Sequence, residues 1–241
     1  MNNTELVKME NISVEFPGVK ALDNVDFTLN KGEVHVLIGE NGAGKSTLIK
    51  VLGGIYKTTS GKIYIENKEV HLHNAKQAKD TGINIIYQEL NLVRSLSVAE
   101  NVFLGNAPLT KGGFINWKKM YLETLNILGI LKVNINPKTI VKNLGLAEQQ
   151  MVEIARALTE DKKIIVMDEP TSALAEKEIT ELFRIINEIK SKGVGIIYIS
   201  HRLGEIKFIG DRVTVLRDGK LVGSADLKHY SMDRLVNIDF P

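Results

Sequence analysis

Residues 39–46, which read GENGAGKS, restrict the possible folds of this chain more than any other stretch. They match the pattern G-x-x-x-x-G-K-[ST] at every position. The segment before them, GEVHVLIG, is rich in apolar and β-branched residues and predicts a strand, and the segment after them, KSTLIKVLGG, predicts a short helix closed by glycines. A strand, a glycine-rich loop and a helix in this order are typical of α/β folds. A turn with no ligand is the alternative interpretation.

The composition of this loop predicts a phosphate site, and hence a bound nucleotide. Glycines allow backbone N–H groups to converge on phosphate oxygens, while the following helix directs the positive end of its dipole at them. Lys45 is expected to reach the β- and γ-phosphates of the nucleotide, and Ser46 to ligate Mg²⁺. The predicted nucleotide-binding residues are Gly39, Glu40, Asn41, Gly42, Ala43, Gly44, Lys45, Ser46 and Thr47.

The hydrophobic pattern divides the chain into three parts. Residues 1–90 read as strands, residues 91–160 as helices, and residues 161–241 as strands alternating with helices. We therefore predict an α/β fold with a mainly parallel sheet covered by helices on both faces and an inserted α-helical subdomain. In this division, 1–90 and 161–241 form the catalytic core with its β subdomain, and 91–160 form the helical subdomain.

Three local patterns support this division. Turn signals predict a hairpin around Glu66 and Asn67. Ser97 and Glu100 predict a capping box at the start of the helical part. The longest predicted helix carries an apolar stripe on one face, formed by Ile179, Leu182, Phe183, Ile186 and Ile189.

The overall composition is that of a soluble globular protein. The net charge of +2, with both signs interspersed, offers no electrostatic footprint for nucleic acid. Cysteine is absent, which excludes disulfides and thiolate metal sites. The first residues lack the apolar region of a signal peptide, and no apolar run approaches the ~18 residues of a membrane-spanning helix. We expect a soluble chain that is still able to dock on a membrane protein.

The segment IIVMDEP, residues 164–170, predicts a buried strand that ends in two adjacent carboxylates. Asp168 can hold Mg²⁺ directly or through a water, and Glu169 can polarise an attacking water. A small-molecule kinase has no use for a water-activating acid at this place, so the pair favours hydrolysis. The alternative is a strand end that is acidic without a catalytic role.

At this point the sequence resembles the ATP-binding cassette ATPases, in order and over nearly the whole chain. The resemblance implies an α/β fold of the P-loop NTPase (RecA-like) type, with an N-terminal antiparallel β subdomain beside the mainly parallel sheet. The resemblance implies that Phe16 stacks on adenine, that Gln88 in IIYQE senses Mg²⁺ as a ligand and signals to a membrane partner, and that His201 in YISHRL contacts the γ-phosphate. It also implies a signature segment that caps ATP held by an opposing cassette, here Leu144, Gly145, Leu146, Ala147 and Glu148. When each residue is considered alone, Gln88 could be a surface residue, and Phe16 and His201 could have structural roles.

A narrower resemblance is to the ribose, galactose and xylose type of monosaccharide importer ATPases, through FPGVKALDNV, QELNLVRSLSVAENVFLG and EQQMVEIARAL. This similarity implies the N-terminal cassette of a longer two-cassette chain, with the sequence ending shortly before the second cassette. It further implies a face-to-face cassette dimer, membrane permease subunits as partners and, indirectly, a periplasmic or extracellular sugar-binding protein. The implied location is the cytoplasmic face of the cell membrane.

The chain departs from the family pattern at the signature, which is usually Leu-Ser-Gly-Gly-Gln. Gly145 lacks the serine hydroxyl that would donate to the γ-phosphate, a loss of roughly 1.5–3 kcal/mol. Ala147 adds a methyl group, and Ala175 replaces a usual aspartate. We therefore expect two unequal sites in the full transporter, the competent one combining Lys45, Asp168, Glu169 and His201 with the signature of the other half. A helix start without a ligand role is the alternative for residues 144–150.

Three other function classes stay open at this stage. One is a soluble cassette ATPase of DNA repair or translation, although the chain lacks their coiled-coil insertion and basic face. A second is a regulatory module that binds nucleotide without hydrolysing it, and the third is a small-molecule kinase. We expect the isolated chain to bind ATP but to turn it over slowly.

Other residues have less specific patterns. His71 and His73 are predicted on one strand face, either sharing a metal or forming a polar face, and Trp117 with Tyr121 is predicted to pack rather than to bind sugar. Segment 92–96 fits either a cleft for a membrane-domain helix or the core of the helical part.

Overall fold

The computed structural model describes residues 5–159 and 162–227. The strands in these ranges are β1 (Glu5–Phe16), β2 (Val19–Asn30), β3 (Val34–Ile38), β4 (Ser60–Ile65), β5 (Lys68–Val70), β6 (Ile83–Ile86), β7 (Ile164–Asp168), β8 (Gly195–Ile199), β9 (Arg212–Arg217) and β10 (Lys220–Asp226). The helices are α1 (Lys45–Leu52), α2 (Ala75–Asp80), α3 (Val98–Val102), α4 (Trp117–Ile130), α5 (Leu146–Ala157), α6 (Glu176–Ser191) and α7 (Leu203–Ile209).

The chain forms two compact units. The first, called the core unit, takes in the described residues of Met1–Ile85, Lys162–Glu169 and Ile186–Pro241. The second, called the helical unit, takes in those of Ile86–Asp161 and Pro170–Ile185.

A six-stranded sheet forms the centre of the core unit, in the order β10-β9-β3-β8-β7-β6. β3 pairs in parallel with β8 and β9, β7 pairs in parallel with β8, and β10 adds antiparallel to β9. Every residue of β3, β7 and β8 is buried, as expected for the near-continuous apolar strands of a parallel sheet covered on both faces. The predicted mainly parallel sheet is present.

A second sheet of the core unit is antiparallel, in the order β2-β1-β4-β5. The hairpin between β4 and β5 turns at Glu66 and Asn67, whose φ angles are 47° and 62°. Two positive φ values in a two-residue loop are typical of a type I′ turn, whose twist matches the twist of the paired strands. The predicted hairpin is therefore confirmed.

Helix α1 packs into the hydrophobic core of the core unit. Its residues Leu48, Ile49, Val51 and Leu52 are buried in one cluster with side chains from both sheets. The start of α1 is thus held rigidly next to the end of β3. The short strand β6 is less buried than predicted, because only Ile83 and Ile86 are fully covered and the two residues between them are half-buried.

The helical unit is built on contacts among α3, α4 and α5. The predicted capping box opens α3: Glu100 Oε2 accepts from the Ser97 amide at 2.8 Å, and Ser97 Oγ accepts from the Glu100 amide at 3.3 Å. Helix α4 buries Met120, Thr124 and Leu128, which are spaced four residues apart on one face.

The longest described helix is α6, with 16 residues. Its predicted apolar stripe is present: Leu182, Phe183 and Ile186 are buried, and Ile179 and Ile189 are half-buried. In the part of the chain that the structure describes, no helix is long and apolar enough to cross a membrane.

Candidate nucleotide-binding site

The glycine-rich loop joins β3 to α1 in a shape that requires glycine at two positions. Gly39 has a φ of +148°, and a Cβ atom there would lie 2.2 Å from the carbonyl oxygen of Leu216. Gly44 has a φ of +101°, and its Cβ would lie 2.8 Å from the side chain of Leu22. Larger residues would therefore push the loop away from the strands behind it.

The loop is held between strand β2 and the turn from β9 to β10. The amide of Gly219 in that turn donates to the carbonyl oxygen of Ala43 at 3.2 Å, and the amide of Asp23 in β2 donates to the carbonyl oxygen of Gly219 at 2.8 Å. No side chain caps the start of α1, and its first turn holds no acidic residue. A helix start of this kind directs backbone N–H groups and a positive dipole end at an anion.

The Lys45 side chain lies over the loop that it follows. Its Nζ donates to the carbonyl oxygens of Gly39 at 2.5 Å and Glu40 at 2.9 Å. The charge is thereby held within the curve of the loop, where a phosphate oxygen can replace a carbonyl as its acceptor. Ser46 is exposed and Thr47 is half-buried.

The predicted acidic pair ends strand β7. Asp168 is 8% exposed, and its pKa is raised by burial and then by the charge of Glu169, while Lys45 and Lys50 lower it. Glu169 has a φ of 47°, and its amide donates to the carbonyl oxygen of Ile199 on β8 at 3.0 Å. The two carboxyl groups thus stand at the carboxyl edge of the parallel sheet, which is the usual position for ligand-binding residues in such sheets.

His201 and Glu169 are brought together in the structure, as their predicted roles require. His201 follows the neighbouring strand β8, and its Nδ1 lies 3.2 Å from Glu169 Oε1. The His201 side chain is 70% exposed, whereas that of Glu169 is 18% exposed. The histidine therefore forms the outer part of the pair and is accessible to a ligand.

The residues at this edge fit a magnesium ion that arrives with a nucleotide. Among the described residues, no group of three or more His, Cys, Asp or Glu side chains could hold a metal ion. Mg²⁺ usually takes only one or two carboxylates and completes its shell with water and phosphate oxygens. Asp168 fits this use, because its buried carboxyl group lies beside a second acid. Gln88 lies in the helical unit, so its predicted contact with the metal stays a prediction.

Phe16, the predicted adenine-stacking residue, is 40% exposed at the end of β1. Its ring meets that of Tyr56 edge-on, with 5.1 Å between the centroids, and Lys50 Nζ lies 5.3 Å from the Tyr56 ring. Tyr56 and Lys50 were not predicted from the sequence. Lys50 lies in the last turn of α1 and Tyr56 lies shortly after the end of that helix, but nothing in the sequence places Tyr56 beside Phe16.

The predicted signature segment lies at the start of α5, whose first residue is Leu146. Glu148 turns back so that its Oε2 accepts from the Gly145 amide at 2.9 Å. Ala147 is half-buried and Leu146 is 61% exposed. A carboxyl group therefore occupies the helix start at which the family usually has glutamine. The sequence reasoning noted the missing serine but not this added charge.

Two weaker predictions are also resolved. The strand predicted for His71 and His73 is wrong, because β5 ends at Val70. The two rings nevertheless stack, with 6.3 Å between their centroids. Trp117 packs on Tyr121 at a centroid distance of 6.0 Å, while 44% of its surface stays exposed.

Comparisons with curated proteins agree with this geometry. The chain is 50% identical over 239 residues to a galactose/methyl galactoside import ATP-binding protein of Fusobacterium nucleatum, an alignment that covers 99% of this chain and 48% of that protein. It is 49% identical to a xylose import ATP-binding protein of Thermoanaerobacter pseudethanolicus, covering 97% of this chain and 46% of that protein. A ribose import ATP-binding protein of Streptomyces avermitilis is 49% identical, with 98% of this chain and 45% of that protein covered. The chain thus spans about half the length of these relatives.

Solved structures confirm the predicted fold class. MJ1267, an ATP-binding cassette of an ABC transporter in its ADP conformation, superposes with a TM-score of 0.84 at 31% identity, covering 98% of each chain. The dimeric structure of MJ0796, a bacterial ABC transporter cassette, has a TM-score of 0.82 at 25% identity over 93% of this chain. The family model described as ABC transporter matches residues 22–172. Because that match covers more than half of the sequence and contains both the glycine-rich loop and the acidic pair, the chain belongs to the ABC transporter family.

Proposed function

We propose that this chain binds Mg²⁺-ATP and hydrolyses it to energise the import of a monosaccharide through a membrane permease. The observation that carries the proposal is the convergence of the glycine-rich loop, the acidic pair and His201 at the carboxyl edge of β3, β7 and β8. The chain spans about half the length of its relatives, and their names, import ATP-binding proteins for galactose, xylose and ribose, support the substrate class.

Each group at this edge has a distinct task in the proposed reaction. The loop amides and Lys45 would bind the β- and γ-phosphates, and Ser46 with Asp168 would hold Mg²⁺, which offsets phosphate charge when it is bound. Glu169 would orient and polarise the attacking water. His201, which contacts Glu169 at 3.2 Å, would meet the γ-phosphate from the exposed side. Phe16 would supply a ring face for adenine.

A second cassette would complete the site. Its signature segment would cap ATP on this chain, while Leu144, Gly145, Leu146, Ala147 and Glu148 of this chain would face ATP on the other. The Glu148 carboxyl group, bonded to the Gly145 amide, adds negative charge where a γ-phosphate would approach. This charge supports the proposal of two unequal sites.

The length of the relatives supports the proposed assembly, because the chain spans about half of each. The chain would be the N-terminal cassette of a two-cassette protein on the cytoplasmic face of the membrane, with residues 91–160 as its helical subdomain. Permease subunits would be its direct partners, and a sugar-binding protein outside the membrane an indirect one. Nucleic acid is not among the proposed partners.

The test of the proposal is calorimetric titration of the chain with Mg²⁺-ATP. We expect saturable binding by the wild-type chain and a loss of at least about 10-fold in affinity for Lys45→Ala, because a charge-assisted bond to phosphate is worth roughly 1.5–3 kcal/mol. Lys177→Ala, at an exposed position of α6, is the matched control and should bind like wild type. Equal affinities of Lys45→Ala and wild type would reject the proposed site.

A second candidate is a nucleotide-binding regulatory module that does not hydrolyse ATP. The contact of Glu148 with the Gly145 amide favours it for a self-paired chain, since both sites would then use the charged signature. A binding isotherm without release of phosphate over many hours would support this candidate over the ATPase.

A further inference from the structure

Glu205 is a buried acidic residue that the proposed reaction does not yet use. It lies in the first turn of α7 and is only 7% exposed. Burial of a carboxyl group is unfavourable unless hydrogen-bond donors replace the lost water. The identity of the donors therefore indicates what the residue is used for.

The partners of the Glu205 carboxyl group include donors from three nearby residues. The Tyr198 hydroxyl and the Ser200 hydroxyl donate to Oε2 at 2.9 and 2.8 Å, and the guanidinium group of Arg202 donates to Oε1 at 3.3 Å. Ser200 Oγ also accepts from the Arg202 amide at 3.0 Å. The carboxyl group thus accepts hydrogen bonds from Ser200 and Arg202, the two residues on either side of His201.

The position of His201 depends on this arrangement. It is the one residue between Ser200 and Arg202, and its own side chain is 70% exposed, so packing does little to orient it. Its Nδ1 nevertheless lies within 3.2 Å of Glu169 Oε1. A backbone held on both sides of an exposed side chain restricts where that side chain can point.

A purely local role for Glu205 explains less of this geometry. An acidic residue in the first turn of a helix interacts favourably with the helix dipole, and an exposed side chain suffices for that effect. It does not require buried hydroxyl groups from β8 and the following residue. Tyr198 is completely buried, and its hydroxyl reaches Glu205 from within the sheet.

We propose that Glu205 is a positioning residue for His201: through Tyr198, Ser200 and Arg202 it sets the segment that carries the histidine against Glu169. This inference rests on the proposed ATP hydrolysis and adds a residue to it. Glu205 itself touches neither ATP nor Glu169 in this scheme. Its effect on turnover therefore passes through His201.

The experiment is a double-mutant cycle in single-turnover ATP hydrolysis, with the chain in excess over ATP. We expect Glu205→Ala to lower the hydrolysis rate about 10–100-fold, because small displacements of a catalytic group have effects of this size. Affinity for Mg²⁺-ATP should stay within about 2-fold, since Lys45 and the loop are untouched. In a His201→Ala background, Glu205→Ala should change the rate by less than about 2-fold, since a residue that acts only through His201 has nothing left to position.

Two milder variants still test the proposal if Glu205→Ala does not fold. Tyr198→Phe removes a single donor, and Glu205→Gln keeps an oxygen for the hydroxyl groups but presents an amide to Arg202. Both should lower the rate less than Glu205→Ala. Magnetic resonance of the His201 imidazole should show a shifted or broadened signal in each variant, which reports its position without any turnover.

The matched control is Glu33→Gln. Glu33 is also 7% exposed and accepts from Arg212 Nε at 2.6 Å, but it precedes β3 at the opposite edge of the sheet. It should lower stability and leave the single-turnover rate within about 2-fold of wild type.

The possible failures are distinguishable. A wild-type chain that binds Mg²⁺-ATP but releases no phosphate contradicts the proposed hydrolysis, and the inference with it. A hydrolysing wild type with additive effects of Glu205→Ala and His201→Ala, or with an unshifted His201 signal, overturns the inference alone.

Discussion

The ionised side chain of Asp168 lies in an environment that lowers the stability of the ligand-free chain. Its carboxyl group is buried beside Glu169, and both burial and this neighbouring charge raise its pKa. Such an arrangement is unfavourable, because like charges at short distance repel and water cannot screen them well, and the charges of Lys45 and Lys50 offset only part of this effect. Residues of this kind are typical of sites where a ligand supplies the missing charge.

We expect Asp168→Asn to stabilise the ligand-free chain by about 0.5–2 kcal/mol, since it removes a buried charge and its repulsion from Glu169. The same change should abolish the extra stability that Mg²⁺-ATP gives to wild type, because the proposed metal ligand is lost. Urea unfolding with and without Mg²⁺-ATP measures both effects.

The control is Asp80→Asn, at the exposed end of α2. It should change neither the stability of the free chain nor the effect of the ligand by more than about 0.5 kcal/mol. A destabilised Asp168→Asn that still responds to Mg²⁺-ATP like wild type would contradict the role given to Asp168.

Elements with a strong local signal could be predicted from the sequence. The hairpin at Glu66 and Asn67, the capping box of Ser97 and the apolar stripe of α6 each depend on residues close together in the chain, and each is present. The glycine-rich loop belongs with them as a motif, because its glycines, the preceding strand and the following helix are adjacent in the chain, although its contacts with Leu22 and Leu216 come from distant segments.

Features made by distant segments could not be predicted in the same way. The sheet places β9 beside β3, which lies far away in the sequence, and no local pattern encodes that pairing. The contacts of Phe16 with Tyr56 and of Glu205 with Tyr198 also arise only after the chain has folded. The strand predicted to include His71 is shorter than expected: β5 has three residues, lies at the edge of its sheet and ends at Val70.

Strand β3 contains a buried histidine, and this residue makes the free energy of unfolding of the chain depend on pH. His35 is 1% exposed, and its Nδ1 donates to the carbonyl oxygen of Thr28 at 2.6 Å while Nε2 lies 2.6 Å from Thr214 Oγ1. Burial, with a contribution from the charge of Arg212, lowers the pKa of His35 to about 3. The ring is therefore neutral in the folded chain at neutral pH.

We expect the free energy of unfolding to fall as the pH is lowered through the unfolded-state pKa of His35. Below about pH 6.5 the unfolded chain binds a proton that the folded chain excludes, and the slope reaches up to about 1.4 kcal/mol per pH unit. Between pH 7 and pH 5 this amounts to about 2 kcal/mol. Above the unfolded-state pKa the contribution is fully present.

Urea unfolding at several pH values measures this slope. His35→Gln, which cannot take up a proton, should lower stability at pH 7 but also flatten the slope between pH 7 and pH 5. His71→Gln is the control, because the His71 side chain is 75% exposed and its removal should leave the slope unchanged. Equal slopes for wild type and His35→Gln would contradict the assignment.

At the scale of the whole molecule, this chain would contribute to two proposed ATP sites in different ways. Its own nucleotide-binding residues match the family pattern, whereas its signature segment departs from it. The groups of the core unit are complete, with Lys45, Asp168, Glu169 and His201 all at one sheet edge. The segment offered to a partner lacks the serine hydroxyl and carries Glu148 at its helix start. A protein that pairs this chain with a second cassette would then hydrolyse ATP mainly at one of its two sites.

We expect Glu169→Gln in the proposed two-cassette protein to lower ATP hydrolysis about 10–100-fold, because the loss of the general base leaves only the slower second site. The matching change in the second cassette should leave the rate within about 2-fold, because a site short of one charge-assisted bond is already about 10–100-fold slower. Steady-state hydrolysis of the two variants tests the asymmetry, and equal losses would count against it.

The hydrogen bonds from Gly219 to Ala43 and from Asp23 to Gly219 have a consequence for biosynthesis. They join the loop to partners that the ribosome makes at the beginning and near the end of the described chain. A growing polypeptide therefore lacks a finished nucleotide pocket until residue 219 has emerged and β9 has inserted beside β3. Nucleotide affinity would thus report that this cassette has folded through residue 219, and ATP in the cell would favour such chains over shorter nascent ones.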